Sequence, residues 1–391
     1  MLKKSLPQNT VLAKLNSRLK EDLTFNSGRI IGSMCTEPHP FAKKVYTRFL
    51  DRNLGDPGLF PATAELEKET IKMLGYLLSN QNAAGNIVTG GTEANILALW
   101  TAKKHAGKKR GEVIVPASAH FSFDKAADLL GLKLVKVGLN SHFQVEVEAV
   151  KEALNQNTIA IIGVAGTTSL GIVDPINELS EIASEKNLYL HVDAAFGGFV
   201  LPFLKELGFD APEFDFKIPG VYSITVDPHK MGLAPIPAGG ILFRNEKLKN
   251  LIAHHISYLA GGETLQSTLV GTRSGASIIA VWSLLKHLGI EGYKKIVKRC
   301  MDLTWKIARE IPKINGLEIV TKPVMNIIGL KSNLFNVHQI AYELRLKGWA
   351  VSLFPKHIRI VIMPHIRETH VKLFLDDLKE IVEKLEDCEN G

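Results

Sequence analysis

From residue 86 to residue 243 the chain alternates short apolar runs with longer stretches of helical periodicity, and this rhythm constrains the fold more than any other feature. The runs are Asn86–Thr89, Val113–Pro116, Lys133–Val137, Ile159–Val164, Leu188–Val192, Tyr222–Val226 and Gly240–Phe243. Between them lie helical patterns at Glu93–His105, Phe123–Leu130 and Ile176–Lys186, with Gly131 where a helix C-cap is expected. Nearly continuous apolar strands are buried on both faces, so the expected fold is α/β, with a mainly parallel seven-stranded sheet between helices. After about residue 265 the rhythm changes. Helical patterns at Ala276–Leu288 and Glu291–Ile311 lead into short strands at Leu317–Thr321, Asn326–Leu330, Ala350–Leu353 and Ile358–Met363, with helices at His338–Lys347 and Thr369–Leu385. The expected division is a large domain over residues 51–270 and a smaller α+β domain over 271–391. A long helix bridging both parts would blur that boundary.

In an open α/β sheet, ligands gather at the carboxyl ends of the strands. Four motifs occupy such ends. Asp227-Pro228-His229-Lys230 follows Tyr222–Val226, and a lysine there forms a Schiff base if its surroundings hold the amine neutral. Most lysines are simply surface charges. His191-Val192-Asp193-Ala194-Ala195 ends the run Leu188–Val192. A carboxylate in that place keeps a pyridine nitrogen protonated, and the small Ala195 leaves room for a flat ring. Strand-end aspartates also cap helices or bind metals, but no further ligand at metal spacing lies nearby. Val88-Thr89-Gly90-Gly91-Thr92-Glu93-Ala94-Asn95 runs from strand into helix, where paired glycines and free amides suit a phosphate and Thr92 adds a hydroxyl. The dinucleotide pattern GxGxxG is missing there, which disfavours a nicotinamide dehydrogenase. Ser118-Ala119-His120-Phe121-Ser122 follows Val113–Pro116; an imidazole so placed can stack on an aromatic cofactor and handle protons, although histidines more often cap or pack. Each motif ends a different strand, as a shared site requires.

Composition narrows the class. With 46% hydrophobic and 22% charged residues the chain has ample core, and no apolar run approaches the ~18 residues of a membrane span. The net charge of +7 is modest. Its densest run, Lys103, Lys104, Lys108, Lys109 and Arg110, follows a helix whose negative end it complements and lacks the interleaved aromatics of a nucleic-acid surface. Cys35, Cys300 and Cys388 form no CxxC pair, which suits a reducing cytoplasm and argues against a disulfide framework or zinc site. His254 and His255 are adjacent and point different ways, so no joint metal site is expected. The basic opening Met1 to Lys20 lacks the apolar core of a secretory signal and reads as a surface helix.

The HVDAA and DPHK segments in this order, with Gly32-Ser33-Met34-Cys35, Asn53-Leu54-Gly55-Asp56-Pro57-Gly58-Leu59 and Arg359-Ile360-Val361-Ile362-Met363-Pro364-His365 towards the ends, resemble the group II pyridoxal-phosphate-dependent amino-acid decarboxylases. Within that family the likeness is to the archaeal L-tyrosine/L-aspartate decarboxylases, and it covers nearly the whole chain. The resemblance implies the aspartate-aminotransferase-like, type I fold, a homodimer with active sites at the interface, and residues 1–50 packed on the partner subunit. It makes Lys230 the residue that binds pyridoxal 5'-phosphate covalently and Asp193 the partner of the ring nitrogen. His120 becomes the stacking residue, Ala195 lies under the ring, Gly91 and Thr92 hold the phosphate with His229 beside them, and Thr168 approaches the cofactor's oxygen side. Gly271 and Thr272 match a segment reaching the phosphate from the other subunit. Tyr258, in a glycine-bearing stretch, matches a tyrosine that returns a proton to the substrate's alpha carbon.

The implied reaction is decarboxylation of L-aspartate to β-alanine, of L-tyrosine to tyramine, or of both, serving coenzyme A or methanofuran synthesis. Arg359 on its strand suits a second carboxylate through bidentate pairing, or is merely salt-bridged; Phe41 and Phe60 suit a tyrosine ring. Another reaction on the same cofactor (carbon–sulfur or carbon–carbon lysis, transamination) and a non-catalytic protein of this fold are the alternatives.

Overall fold

Every expected run of the amino-terminal part forms a strand of one sheet in the computed structural model, which describes residues 5–107 and 111–390, with side chains to residue 387. The strands are β1 (Ala84–Val88), β2 (Glu112–Pro116), β3 (Lys133–Val137), β4 (Thr158–Val164), β5 (Tyr189–Asp193), β6 (Val221–Val226) and β7 (Gly239–Phe243), in the spatial order β1-β7-β6-β5-β4-β2-β3. All pairings are parallel except those of β7, which runs antiparallel to both β1 and β6. A parallel return needs a crossover, normally a helix. The link from Asp227 to Ala238 contains none, so β7 folds back beside β6. The carboxyl ends of β1, β2, β4, β5 and β6 therefore share one rim. β4 and β5 are buried throughout, covered by helices that include Gly91–His105 and Ile176–Glu185. Gly131 caps the helix Ser122–Leu130 in the left-handed conformation, as its position suggested.

A hairpin that periodicity did not reveal follows the sheet, formed by β8 (His254–Ile256) and β9 (Thr264–Gln266). The carboxyl-terminal part builds an antiparallel sheet from β10 (Leu317–Ile319), β11 (Ile327–Ser332), β12 (Ser352–Phe354) and β13 (His357–Val361), ordered β10-β11-β13-β12. The helices Val337–Leu346 and Glu368–Asn390 close its core around Trp349, Ile360 and Phe374. The two helical patterns expected after residue 275 form one helix, Gly275–Glu310, kinked at Gly289, whose φ of 55° favours glycine. Its first half packs into the large core through Ile278, and Ile307 near its end lies in the small one. One helix thus braces both.

The helix Gln8–Arg18 buries no residue. Further along, Ile31 is fully buried in the small core, and its carbonyl accepts from the Val361 N–H at 2.7 Å. Residues 30–32 are therefore built into their own chain, whatever the rest of the amino-terminal segment covers. No helix among the described residues is long and apolar enough to cross a membrane. Lys103 and Lys104 lie in the last turn of their helix, as expected, while Lys108–Arg110 fall outside the described residues.

Arg273 ties the chain beyond the hairpin to the sheet. Its guanidinium makes two bonds to Glu67, at 2.6 and 3.0 Å, and a third to the Ile87 carbonyl at 2.8 Å. Glu67 also accepts from the Ile87 N–H at 2.9 Å. Both side chains are almost fully buried, so removing one strands the charge of the other. Glu67→Leu is expected to lower unfolding stability by about 3–5 kcal/mol, and the double variant Glu67→Leu/Arg273→Met to regain most of it. Urea midpoints check this; equal midpoints for wild type and the single variant would refute it.

Candidate active site

The turn after β6 carries Lys230 back over the rim. Its Nζ lies 3.1 Å from Oδ2 of Asp227, and Nε2 of His229 lies 3.6 Å from the same oxygen. Burial disfavours the ammonium of Lys230, but the carboxylates of Asp227 and Asp193 outweigh it and hold the amine's pKa above the usual lysine value. Asp193, at the end of β5, is 6% exposed. Its Oδ1 accepts from the Ala195 N–H at 3.1 Å and its Oδ2 from the Asn95 amide at 2.9 Å.

The glycine turn after β1 brings the start of the helix Gly91–His105 against these groups. A methyl group on Gly91 would lie 2.8 Å from Oδ2 of Asp227 and 3.4 Å from Cβ of Ala195, so only glycine permits this approach. Glu93 fixes the turn, accepting from the Thr89 N–H at 2.8 Å and the Thr89 hydroxyl at 2.7 Å. Gly90, Gly91 and Thr92 at the helix start line the cavity, and the first amides of a helix are a ready anion site.

His120 follows β2. Its Nδ1 accepts from the Ser122 N–H at 3.3 Å, which leaves the proton of the neutral ring on Nε2. Burial lowers its pKa, opposed by Asp193. His229 is likewise lowered by burial against the pull of Asp227, and its Nδ1 accepts from the Ala238 N–H at 3.2 Å. Both rings are thus neutral donors at neutral pH.

These groups line one cavity of about 320 Å³, with Gly90, Gly91, Thr92, His120, Thr168, Asp193, Ala195, His229 and Lys230 in its wall. The structure therefore brings together eight of the residues singled out from strand ends and resemblance. The others stand apart within one chain. Tyr258 is 83% exposed near the tip of the β8–β9 hairpin. Gly271 and Thr272 lie beyond that hairpin, outside the cavity wall. Phe41 packs on His287 at the surface, and Arg52 covers Phe60. Arg359 is buried, outside the cavity wall and in no ion pair among the described residues, so the salt-bridged alternative does not hold within the chain. Instead it donates to the carbonyls of Thr168 and Gly32, each at 2.7 Å, and to the Ser352 hydroxyl at 2.9 Å. His254 stacks on Trp100 while His255 meets Glu263 at 3.1 Å, so the two histidines diverge. Among the described residues no group of three His, Cys, Asp or Glu could hold a metal ion.

Asn95, Ser118 and Asp227 stand within the strand-end motifs and line the cavity, but the sequence assigned none of them a role. Asn95 was detectable, since it sits four residues after Gly91 on the same helix face.

Comparison with known proteins agrees with this geometry. Residues 52–332 match the model of the pyridoxal-dependent decarboxylase conserved domain. The L-aspartate/L-glutamate decarboxylase of Pyrococcus horikoshii is 52% identical over 377 residues, covering 96% of this chain and 98% of that protein. The probable L-tyrosine/L-aspartate decarboxylase of Methanothermobacter thermautotrophicus is 52% identical over 361 residues, covering 92% and 99%. Among solved structures, a sphingosine-1-phosphate lyase of Burkholderia pseudomallei superposes with a TM-score of 0.91 at 30% identity, covering 98% of this chain and 92% of that one. Fold and site define a pyridoxal-phosphate enzyme of the aspartate-aminotransferase-like class. The chain belongs to the pyridoxal-dependent decarboxylase family, and its activity is decarboxylation of an amino acid. The residues present fit that cofactor: an amine, a carboxylate and a glycine cradle enclose the cavity, and Ser118 Oγ and Asp227 Oδ1 are buried there without partners.

Behind Asp193, burial lowers the pKa of the fully buried His191 to about 4. The folded pKa lies below the unfolded value near 6.5, so the stability held by the neutral ring is complete above about pH 6.5. It is lost as pH falls through 4. Asp174 opposes this, since burial raises its carboxyl to about 6. Between pH 6.5 and 4.5 the wild type should lose about 2–3 kcal/mol more than His191→Asn, measured by urea unfolding of the cofactor-free protein. Parallel curves would show that His191 does not titrate on unfolding.

Proposed function

We propose that the chain decarboxylates L-aspartate to β-alanine, with Lys230 as the residue that binds the cofactor. The observation that carries this reading is the placement of Lys230 Nζ 3.1 Å from Asp227, in a cavity shared with Asp193 and the glycine turn. Asp227 pairs with Nζ and fixes where the amine sits at the cavity wall, where the cofactor would meet it. The amides of Gly91 and Thr92, with His229 alongside, would hold the phosphate. Asp193 would partner the ring nitrogen, Ala195 and His120 would hold the ring from its two sides, and Thr168 would approach its oxygen side. Pyridoxal phosphate, when bound, supplies the sink for the electron pair released as carbon dioxide leaves.

Two observations favour an acidic substrate. Arg359 is a buried guanidinium with no carboxylate partner among the described residues, and its Nε is unbonded. Burial lowers its pKa to about 10, so it remains a cation at neutral pH. A substrate carboxylate supplies the missing charge. Phe41 and Phe60, the candidates for a tyrosine slot, lie outside the cavity wall as Arg359 does, but their rings are already met by His287 and Arg52. The names of the relatives, which include an aspartate decarboxylase from Thermococcus kodakarensis, agree with this choice.

The working unit is a homodimer in the cytoplasm, feeding β-alanine towards coenzyme A, with tyramine for methanofuran as the secondary route. Exposed Leu59, Tyr258, Leu265, Leu269 and Val270 group on and beside the hairpin and the loop against which Gly261 packs, and a second copy would cover them. In that arrangement Tyr258, Gly271 and Thr272 reach the partner's cavity, and Tyr258 returns the proton to the alpha carbon.

Carbon dioxide release across the amino acids is expected to be fastest with L-aspartate and absent in Lys230→Ala, which borohydride should leave unlabelled by cofactor. Release from no amino acid would sink the activity; labelling of Lys230→Ala would sink the residue assignment. Tyr258→Phe is expected to lower kcat by about 10²-fold or more while cofactor binding persists. Light scattering should give twice the chain mass, and an active monomer would remove the partner role of Tyr258.

A further inference from the structure

Asn95 is 1% exposed and makes four hydrogen bonds through one amide. Its Nδ2 donates to Oδ2 of Asp193 and to Oγ of Ser122, each at 2.9 Å. Its Oδ1 accepts from the Thr225 hydroxyl at 2.7 Å and faces Nε2 of His191 at 3.1 Å. An ionised carboxylate only accepts, so the amide nitrogen has to face Asp193 and the amide oxygen the opposite way. That orientation obliges Thr225 and His191 to donate. His191 then carries its proton on Nε2, and its Nδ1 accepts from the Ser223 hydroxyl at 2.8 Å. Three successive dipoles, Ser223 to His191 to Asn95 to Asp193, run in one direction. Such chains strengthen one another where the local dielectric is low.

The charged and titratable groups around Asp193 come from three elements. Lys230 and Asp227 lie on the turn after β6, His120 follows β2, and His191 stands on β5 itself. Both histidines are depressed by burial and stay neutral. The Ala195 N–H holds the other carboxylate oxygen. Among the described residues Asn95 is thus the one neutral side chain bonded to Asp193 from the helix side, and none of them puts a second cation next to the carboxylate.

On the reading that Asp193 partners the ring nitrogen, which this step rests on, we infer that Asn95 is the positioning residue for that partnership. It holds Asp193 as a hydrogen-bond acceptor turned to the cavity, with Thr225 and His191 as outer donors, so that the ring nitrogen keeps its proton. Without the donor, the carboxylate's affinity for a proton rises. The proton shared with the ring then shifts towards oxygen, and the ring becomes a poorer acceptor of electrons.

The test uses holoenzyme reconstituted with pyridoxal phosphate labelled with ¹⁵N in the ring, whose chemical shift reads protonation without turnover. Wild type is expected at the pyridinium value. Asn95→Leu should move the signal towards neutral pyridine and lower kcat about tenfold or more, the equivalent of one pKa unit, with KM within about twofold. Thr225→Val, which keeps the packing and removes one outer donor, should shift the signal less in the same direction. It decides alone if Asn95→Leu does not fold. An unmoved pyridinium signal in the folded variants overturns the inference. Asp193→Ala separates the two failures: if its signal also stays at the pyridinium value, the assignment of Asp193 itself is wrong, and if only that variant loses it, the role of Asn95 alone is refuted.

Discussion

A lysine ammonium held between two buried carboxylates is the interaction on which the site's geometry depends. Isolated charges in a protein interior cost several kcal/mol each unless they are paired and hydrogen-bonded. The three groups therefore tolerate little displacement. They sit on adjacent parallel strands, with Asp193 opposite Thr225 in the register and Asp227 two residues beyond it. That register makes a one-residue slip of β6 against β5 impossible without breaking the pairing. The glycine at position 91 belongs to the same constraint, since any side chain there would press on the carboxylate that holds Lys230.

What could be read from residue patterns was mostly what strand ends and apolar periodicity carry. Seven strands were visible because β4 and β5 are buried throughout, so selection for apolar residues is continuous along them. The four motifs followed, because a site at a common rim leaves one short polar signature after each strand. The reversal of β7 was not legible: it depends on what the link after Lys230 lacks, and a strand's own composition does not record direction. The β8–β9 hairpin was missed for a plainer reason. Strands of three residues, mostly exposed, hold too little alternation to register. The break between the helical patterns ending at Leu288 and beginning at Glu291 is a kink at Gly289 within one helix, since bracing two cores keeps the helix going.

Pairings across the fold were the least legible. Asn95 carries the helix-face signal of its neighbour Gly91, but nothing local says that its amide meets a residue 98 positions later. Arg359 is the opposite case: an arginine on a strand suggests a nearby acid, and the structure supplies carbonyls and a hydroxyl instead.

That difference has an electrostatic meaning. The floor of the cavity, with two carboxylates around one ammonium, is net negative before anything binds. The guanidinium lies apart from it, where the Thr168 carbonyl on the large rim meets Gly32 and Ser352 on the small sheet. Carbonyl dipoles soften the cost of burying this charge but do not neutralise it. On the proposed reading of Arg359 as the partner of a substrate carboxylate, the floor would repel that anion and the junction attract it, so the separation of the two charges would set its orientation. Because the same guanidinium bonds to both sheets and to the amino-terminal segment, whatever neutralises it also acts on how those three pieces are held together.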